Sequence, residues 1–162
     1  MAKAIKTTLN KPQNANILAL SGIGRVPPQA VELEEAILGA LLIDRDALSK
    51  VIDILSAESF YVDGHQKIFE AITQLFGDSD PIDILTVSQR LKKEGELNNI
   101  GGEAKLIGLS TRVSSSAHIE FHSRIVVQKH IQRELIRISH NMIEQAYDET
   151  NDVLELLDTA EQ

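Results

Sequence analysis

The stretch AHIEFHSRIVVQKHIQRELIRISHNMIEQAY (117–147) contains neither proline nor glycine. It predicts one helix which, at about 1.5 Å per residue, is on the order of 45 Å long. Val127, Ile131, Leu135, Ile138, Met142 and Ala146 form a stripe at spacings of 4, 4, 3, 4 and 4. Ile125, Ile136, Ile143 and Tyr147 fall on a second, adjacent face. Lys129, Arg133, Arg137 and His140 lie roughly opposite the first stripe. A helix with apolar surface on two sides needs two partners. One is supplied after the turn DETND (148–152), where Val153, Leu154, Leu156, Leu157 and Ala160 recur at helical spacing. They predict a returning helix, and so an αα-hairpin. The other partner is most simply a second copy of the same hairpin. The expected self-association residues are Val127, Ile131, Leu135, Ile136, Ile138, Met142, Ile143, Tyr147, Leu154 and Leu157.

Working back from the hairpin, the preceding sequence predicts a small helical head. Val26-Pro27-Pro28-Gln29 marks a rigid stop before regular structure. AVELEEAILGALLI (30–43) puts Val31, Leu33, Ala36, Ile37, Ala40 and Leu41 on one face. Glu32, Glu34 and Glu35 are expected in a solvated first turn, where acids suit the helix dipole. Asp44 reads as the N-cap of a second helix through Ala47, Leu48, Val51, Ile52 and Leu55. Asp63 is expected to cap a helix burying Ile68, Phe69, Ile72, Leu75 and Phe76 and ending at Gly77. Thr86 and Gln89 stand at capping-box spacing ahead of Leu91. Gly101-Gly102 opens a short helix through Ala104, Leu106, Ile107 and Leu109. The expected fold is all-α: a flexible tail (1–26), a helical bundle head (27–112) and a long protruding αα-hairpin (113–162).

Composition agrees. Of 162 residues, 43% are hydrophobic but only 4% aromatic, and tryptophan is absent. Leu, Ile, Val and Ala must therefore build the core, which favours helix packing. With no cysteine there is no disulfide, thiolate metal site or cysteine nucleophile. A cytoplasmic location is expected. The net charge is −8, yet residues 1–26 hold Lys3, Lys6, Lys11 and Arg25 and no acid, so the rest carries −12. An acidic body makes a poor duplex-binding surface, because affinity there comes from neutralising phosphates. No run of about 18 apolar residues exists, so no membrane span is expected. The apolar patch 17–20 is too short for a signal-peptide core.

The candidate chemical motifs each have a plainer reading. SGIGRVPP (21–28) lacks a third glycine and meets a double proline where a helix should start, and GGEAKLIG (101–108) is not a P-loop. His118 and His122 stand one helical turn apart, but HIEFH is not the zincin pattern, and solvated or capping histidines explain them. Asp78, Asp80 and Asp83 lack the glycine and closing glutamate of a calcium loop. Glu32, Glu34 and Glu35 have no evident companion histidine, and Ser114, Ser115 and Ser116 have no base, so the latter read as a turn with an N-cap. No catalytic, cofactor or metal site is expected in this chain. Lys129, Arg133 and Arg137 are the candidate contacts to a partner or to nucleic acid. Direct single-strand binding through that basic face and the tail is the alternative to a self-associating scaffold.

Several stretches taken together resemble a known family. PPQAVELEEAILGALLID (27–44), FYVDGHQKIFEAI (60–72), PIDILTVSQRL (81–91), GELNNIGGEAKLIGL (95–109) and RIVVQKHIQRELIRIS (124–139), followed by AYDE (146–149) and LLDTAEQ (156–162), resemble in order and spacing the N-terminal domain of bacterial replicative DNA helicases of the DnaB family. Phe121 and Ser123 stand where that family often has tyrosine and alanine, and His118 where asparagine is common. The resemblance implies a helical head whose hairpins pair between subunits. Three such dimers form a collar on a hexameric ring that docks primase during DNA replication; a helicase loader is a further candidate partner, and DNA is touched only indirectly. It implies no catalytic residue here. ATP, Mg²⁺ and unwinding belong to a RecA-like domain beyond a linker. The chain reaches Gln162 with no glycine, proline or basic last turn to close its final helix, so the protein is expected to continue into that domain.

Overall fold

The computed structural model describes residues 25–161, residues 45 and 151 excepted. The basic tail expected over 1–26 thus lies almost wholly outside the described residues. Six α-helices and two short 3₁₀ turns account for the regular structure, with no strand among the described residues.

Helix α1 (Val31–Ile43) is the centre of the head. Ile37, Leu38, Gly39, Ala40, Leu41 and Leu42 are buried one after another, so the helix is enclosed on all sides rather than on a single face. The second helix expected over 44–55 does not form. Asp44 instead turns its carboxylate sideways: one oxygen accepts from the amide of Asp46 at 3.0 Å and the other from the hydroxyl of Ser116. Bonds three residues apart, such as Ala47 N to Asp44 O and Val51 N to Leu48 O, then tighten the chain around a 3₁₀ turn at Leu48–Lys50. Ala47, Leu48, Val51 and Leu55 are buried all the same. A second 3₁₀ turn, Ala57–Ser59, leads through Phe60 into α2 (Asp63–Gly77). Asp63 is the first residue of that helix rather than its cap, which is Val62. Phe76, expected on the buried stripe, is exposed.

Helix α3 (Ile84–Lys93) starts three residues earlier in its capping box than expected. Asp83 and Thr86 form the reciprocal pair, with Thr86 N donating to Asp83 Oδ1 at 2.9 Å and Asp83 N to Thr86 Oγ1 at 3.0 Å. Helix α4 (Gly102–Thr111) is entered through two successive left-handed residues, Gly101 at φ 100° and Gly102 at φ 72°. Side chains rarely tolerate that backbone, so the Gly-Gly pair is what lets the chain reverse into α4. Packing runs α1 on α4 and α2, α2 on α3, and α3 on α4. The approach of α1 to α4 is close: a Cβ on Gly39 would sit 2.3 Å from the carbonyl oxygen of Leu109. Phe60 and Phe69 stack at 5.1 Å in the core beside the aliphatic side chains of α1, α2, α3 and α4.

Helix α5 (Ile119–Tyr147) is the long helix, 29 residues without a break. After the turn, Asp152 accepts from Leu154 N at 2.8 Å and starts α6 (Val153–Glu161). Both helices expected for the hairpin are therefore present. The described residues fall into two units, one of them Pro28–Arg137 and the other made of residues 25–27 and those from Ile138 on. The first unit reaches past the 27–112 expected for the head, because Ile119, Ser123 and Val126 of α5 are buried and Val127 packs against the head core.

Candidate interaction surface

The connection between Ser59 and Val62 is held from beneath by a glutamate. Glu34, expected in a solvated turn, is buried, and the companion histidine that the sequence did not reveal is His65. One carboxylate oxygen accepts from Tyr61 N at 2.7 Å. The other accepts from His65 Nδ1 at 2.8 Å, with Val62 N at 3.4 Å. Both side chains are 1% exposed, so this acid–imidazole pair is closed to any substrate and serves the packing. His65 Nε2 has no hydrogen-bond partner among the described residues. Glu35, on the next position of α1, meets Lys105 at 2.7 Å and Arg112, joining α1 to α4. The Lys105 hydrogen bond holds the Glu35 carboxyl below its ordinary 4.5, against partial desolvation, with the charges of Lys105 and Arg112 adding to the effect. Of the three acids only Glu32 is exposed as expected.

The same connection is gripped from above by α5. Arg133 donates through Nη1 to Pro28 O at 2.9 Å and through Nη2 to Ser59 O at 2.8 Å. Its guanidinium also lies 5.6 Å from the ring centre of Tyr61, within cation–π range. Arg133 thus extends the inner row of α5, Ile119, Ser123, Val126 and His130, at spacings of 4, 3, 4 and 3. The basic side of the helix, expected to face solvent or a partner, is at this point its inner side.

The apolar stripe is the outer side. Ile131, Leu135, Ile136 and Ile138 are 52%, 59%, 51% and 46% exposed. Tyr147, Leu154 and Leu157 are exposed as well, and Met142 and Ile143 are half-buried. Of the ten residues expected to self-associate, Val127 is the one that packs against the head core. The other two basic candidates have local partners: Lys129 reaches Gln132 at 3.4 Å, and Arg137 pairs with Glu134 at 2.8 Å. That last bond holds the Glu134 carboxyl below its ordinary range.

His118 and His122 stand with ring centres 6.3 Å apart beside the exposed Phe121. Among the described residues no group of three or more His, Cys, Asp or Glu is placed to hold a metal ion. Asp78 and Asp80 face Arg90, at 2.5 and 3.7 Å, which explains that acidic turn as a link between α2 and α3. No helix among the described residues is long and apolar enough to cross a membrane.

Residues 26–128 match the family model described as the DnaB-like helicase N-terminal domain. The replicative DNA helicase DnaB of Rhodothermus marinus is 44% identical over 157 residues, 96% of this chain and 17% of that protein. Its counterpart in Geobacillus stearothermophilus is 37% identical over 137 residues, 85% of this chain and 30% of that protein. The crystal structure of the N-terminal domain of DnaB helicase from Mycobacterium tuberculosis is similar with a TM-score of 0.80 at 33% identity, covering 84% of this chain and 96% of that one. The chain spans well under half the length of the curated relatives it matches.

Proposed function

Given that this chain belongs to the DnaB-like helicase N-terminal domain family, we propose that it is a non-catalytic scaffold of a replicative helicase in the bacterial cytoplasm, pairing subunits through α5 and α6 and offering the assembled surface to primase. The observation that carries this reading is the apolar stripe of α5, about half exposed from Ile131 to Ile138 and followed by exposed Tyr147, Leu154 and Leu157. An apolar surface of that length is costly in water and is relieved by a matching copy of itself. A ring built from such pairs as a trimer of dimers is the assembly proposed for the full-length protein. Unwinding, with the ATP and Mg²⁺ it uses, is assigned to the part of the relatives that this chain does not span. A helicase loader is a further proposed partner.

The test is mass against concentration by sedimentation equilibrium, alone and with the helicase-binding domain of the cognate primase. The parent chain is expected to form dimers or larger assemblies, and primase to add to the mass. Ile138→Asp places a charge in the seam and should shift the chain toward monomer. A parent that stays monomeric at high concentration sinks the reading. Direct single-strand binding through α5 is the less favoured reading: of the expected basic contacts, Arg133 is engaged by head carbonyls and Arg137 by Glu134, so fewer of them are at hand to neutralise phosphates.

A further inference from the structure

We propose that Arg133 is the positioning residue for self-association, and that the connection 59–62 is the socket into which it fits. The inference rests on the reading of α5 as the pairing helix. At about 100° per residue, Ile131 and Leu135 lie some 160–200° around the helix from Arg133. Fixing the guanidinium on the head therefore turns those two side chains outward. Burial along the inner row is complete at Ile119, Ser123 and Val126 and only partial at His130, so apolar packing has faded before Arg133 is reached.

The socket is built to be rigid. Glu34 fixes Tyr61 N at 2.7 Å and is itself fixed by His65 at 2.8 Å, and the Glu34 and His65 side chains are both closed to water. Tyr61 is thereby presented as a face for the guanidinium, and the carbonyls of Ser59 and Pro28 as two separate acceptors. Only a planar fork with several donors satisfies both carbonyls and stacks on a ring together. A lysine ammonium is a point charge without a planar face and cannot do all three.

The experiment compares the dimer dissociation constant, by sedimentation velocity across concentration, for the parent, Arg133→Ala, Arg133→Lys and Arg137→Ala, with the thermal unfolding of each. Arg133→Ala is expected to weaken association at least about tenfold with the head still melting cooperatively, a split that a purely structural role would not give. Arg133→Lys should recover only part of the loss, and Arg137→Ala, whose bond is local, should match the parent. If Arg133→Ala fails to fold, Arg133→Lys carries the same comparison. Arg133 variants that pair as tightly as an associating parent overturn the inference alone. A parent that never associates overturns it together with the self-association reading.

Discussion

Ser123 shows how a single atom can be out of place in an otherwise satisfied interior. Its hydroxyl is fully buried on the inner row of α5 and has no hydrogen-bond partner among the described residues. A buried hydroxyl without a partner costs about 1–3 kcal/mol, whereas alanine fills nearly the same volume and favours helix. Ser123→Ala should therefore stabilise the chain by about 1 kcal/mol, raising the melting temperature by about 2–4 °C. Calorimetry on the two proteins decides it, and a lower melting temperature for the variant would show that the hydroxyl is bonded after all. Glu34 is the opposite case, a carboxylate fully enclosed yet met by two backbone amides and an imidazole. Its role was hidden from sequence reading for a physical reason. Its partners lie 27 to 31 residues away and act partly through main-chain amides, which carry no residue signature. What pointed to it was only its position, buried between the apolar residues Leu33 and Ile37, which a solvated acid would not share.

At the level of elements, α1 and α4 approach so closely that glycine at position 39 is a packing requirement. Replacing it with alanine gains about 1 kcal/mol of helix propensity in isolation. Against this, the new methyl would lie 2.3 Å from the Leu109 carbonyl oxygen and 2.8 Å from Val113 Cγ2. The first of those atoms is backbone and cannot rotate away, so α4 must shift, at about 1–3 kcal/mol or more. Gly39→Ala is expected to lose stability in denaturant titration despite its better helix former; a gain would mean the two helices can separate freely. The long helix was legible because so long a stretch without a breaker leaves few alternatives, and the observed Ile119–Tyr147 falls within 117–147. The segment after Asp44 was not, because apolar residues three and four apart suit successive tight turns as well as an α-helix, and the Asp44–Ser116 bond that selects the turns spans 72 residues. The inner row of α5 was not legible either: Arg133 was expected to face solvent or a partner, but it extends the buried row of Ile119, Ser123 and Val126, whose small middle member gives a weak hydrophobic signal.

For the whole molecule, α5 is the one element shared by both units, with the boundary between Arg137 and Ile138 falling inside it. Its backbone is uniformly helical, yet its support is not: side chains are buried at Ile119, Ser123 and Val126, while most of those from Leu135 to Tyr147 are exposed. Amide protons are held less firmly in turns with few buried side chains, because local opening costs less there. One unbroken helix should therefore exchange its amides with deuterium in two regimes, slowly over residues 123–133 and quickly over 138–147. Mass spectrometry of exchange at low and high protein concentration reads this directly. Uniform slow exchange in the dilute chain would mean that the distal turns have support of their own. As copies pair, the fast half should slow while the other half stays as it was. The helix then keeps a record of assembly in its own amide protons, and occupancy of the seam can be followed without attaching any label.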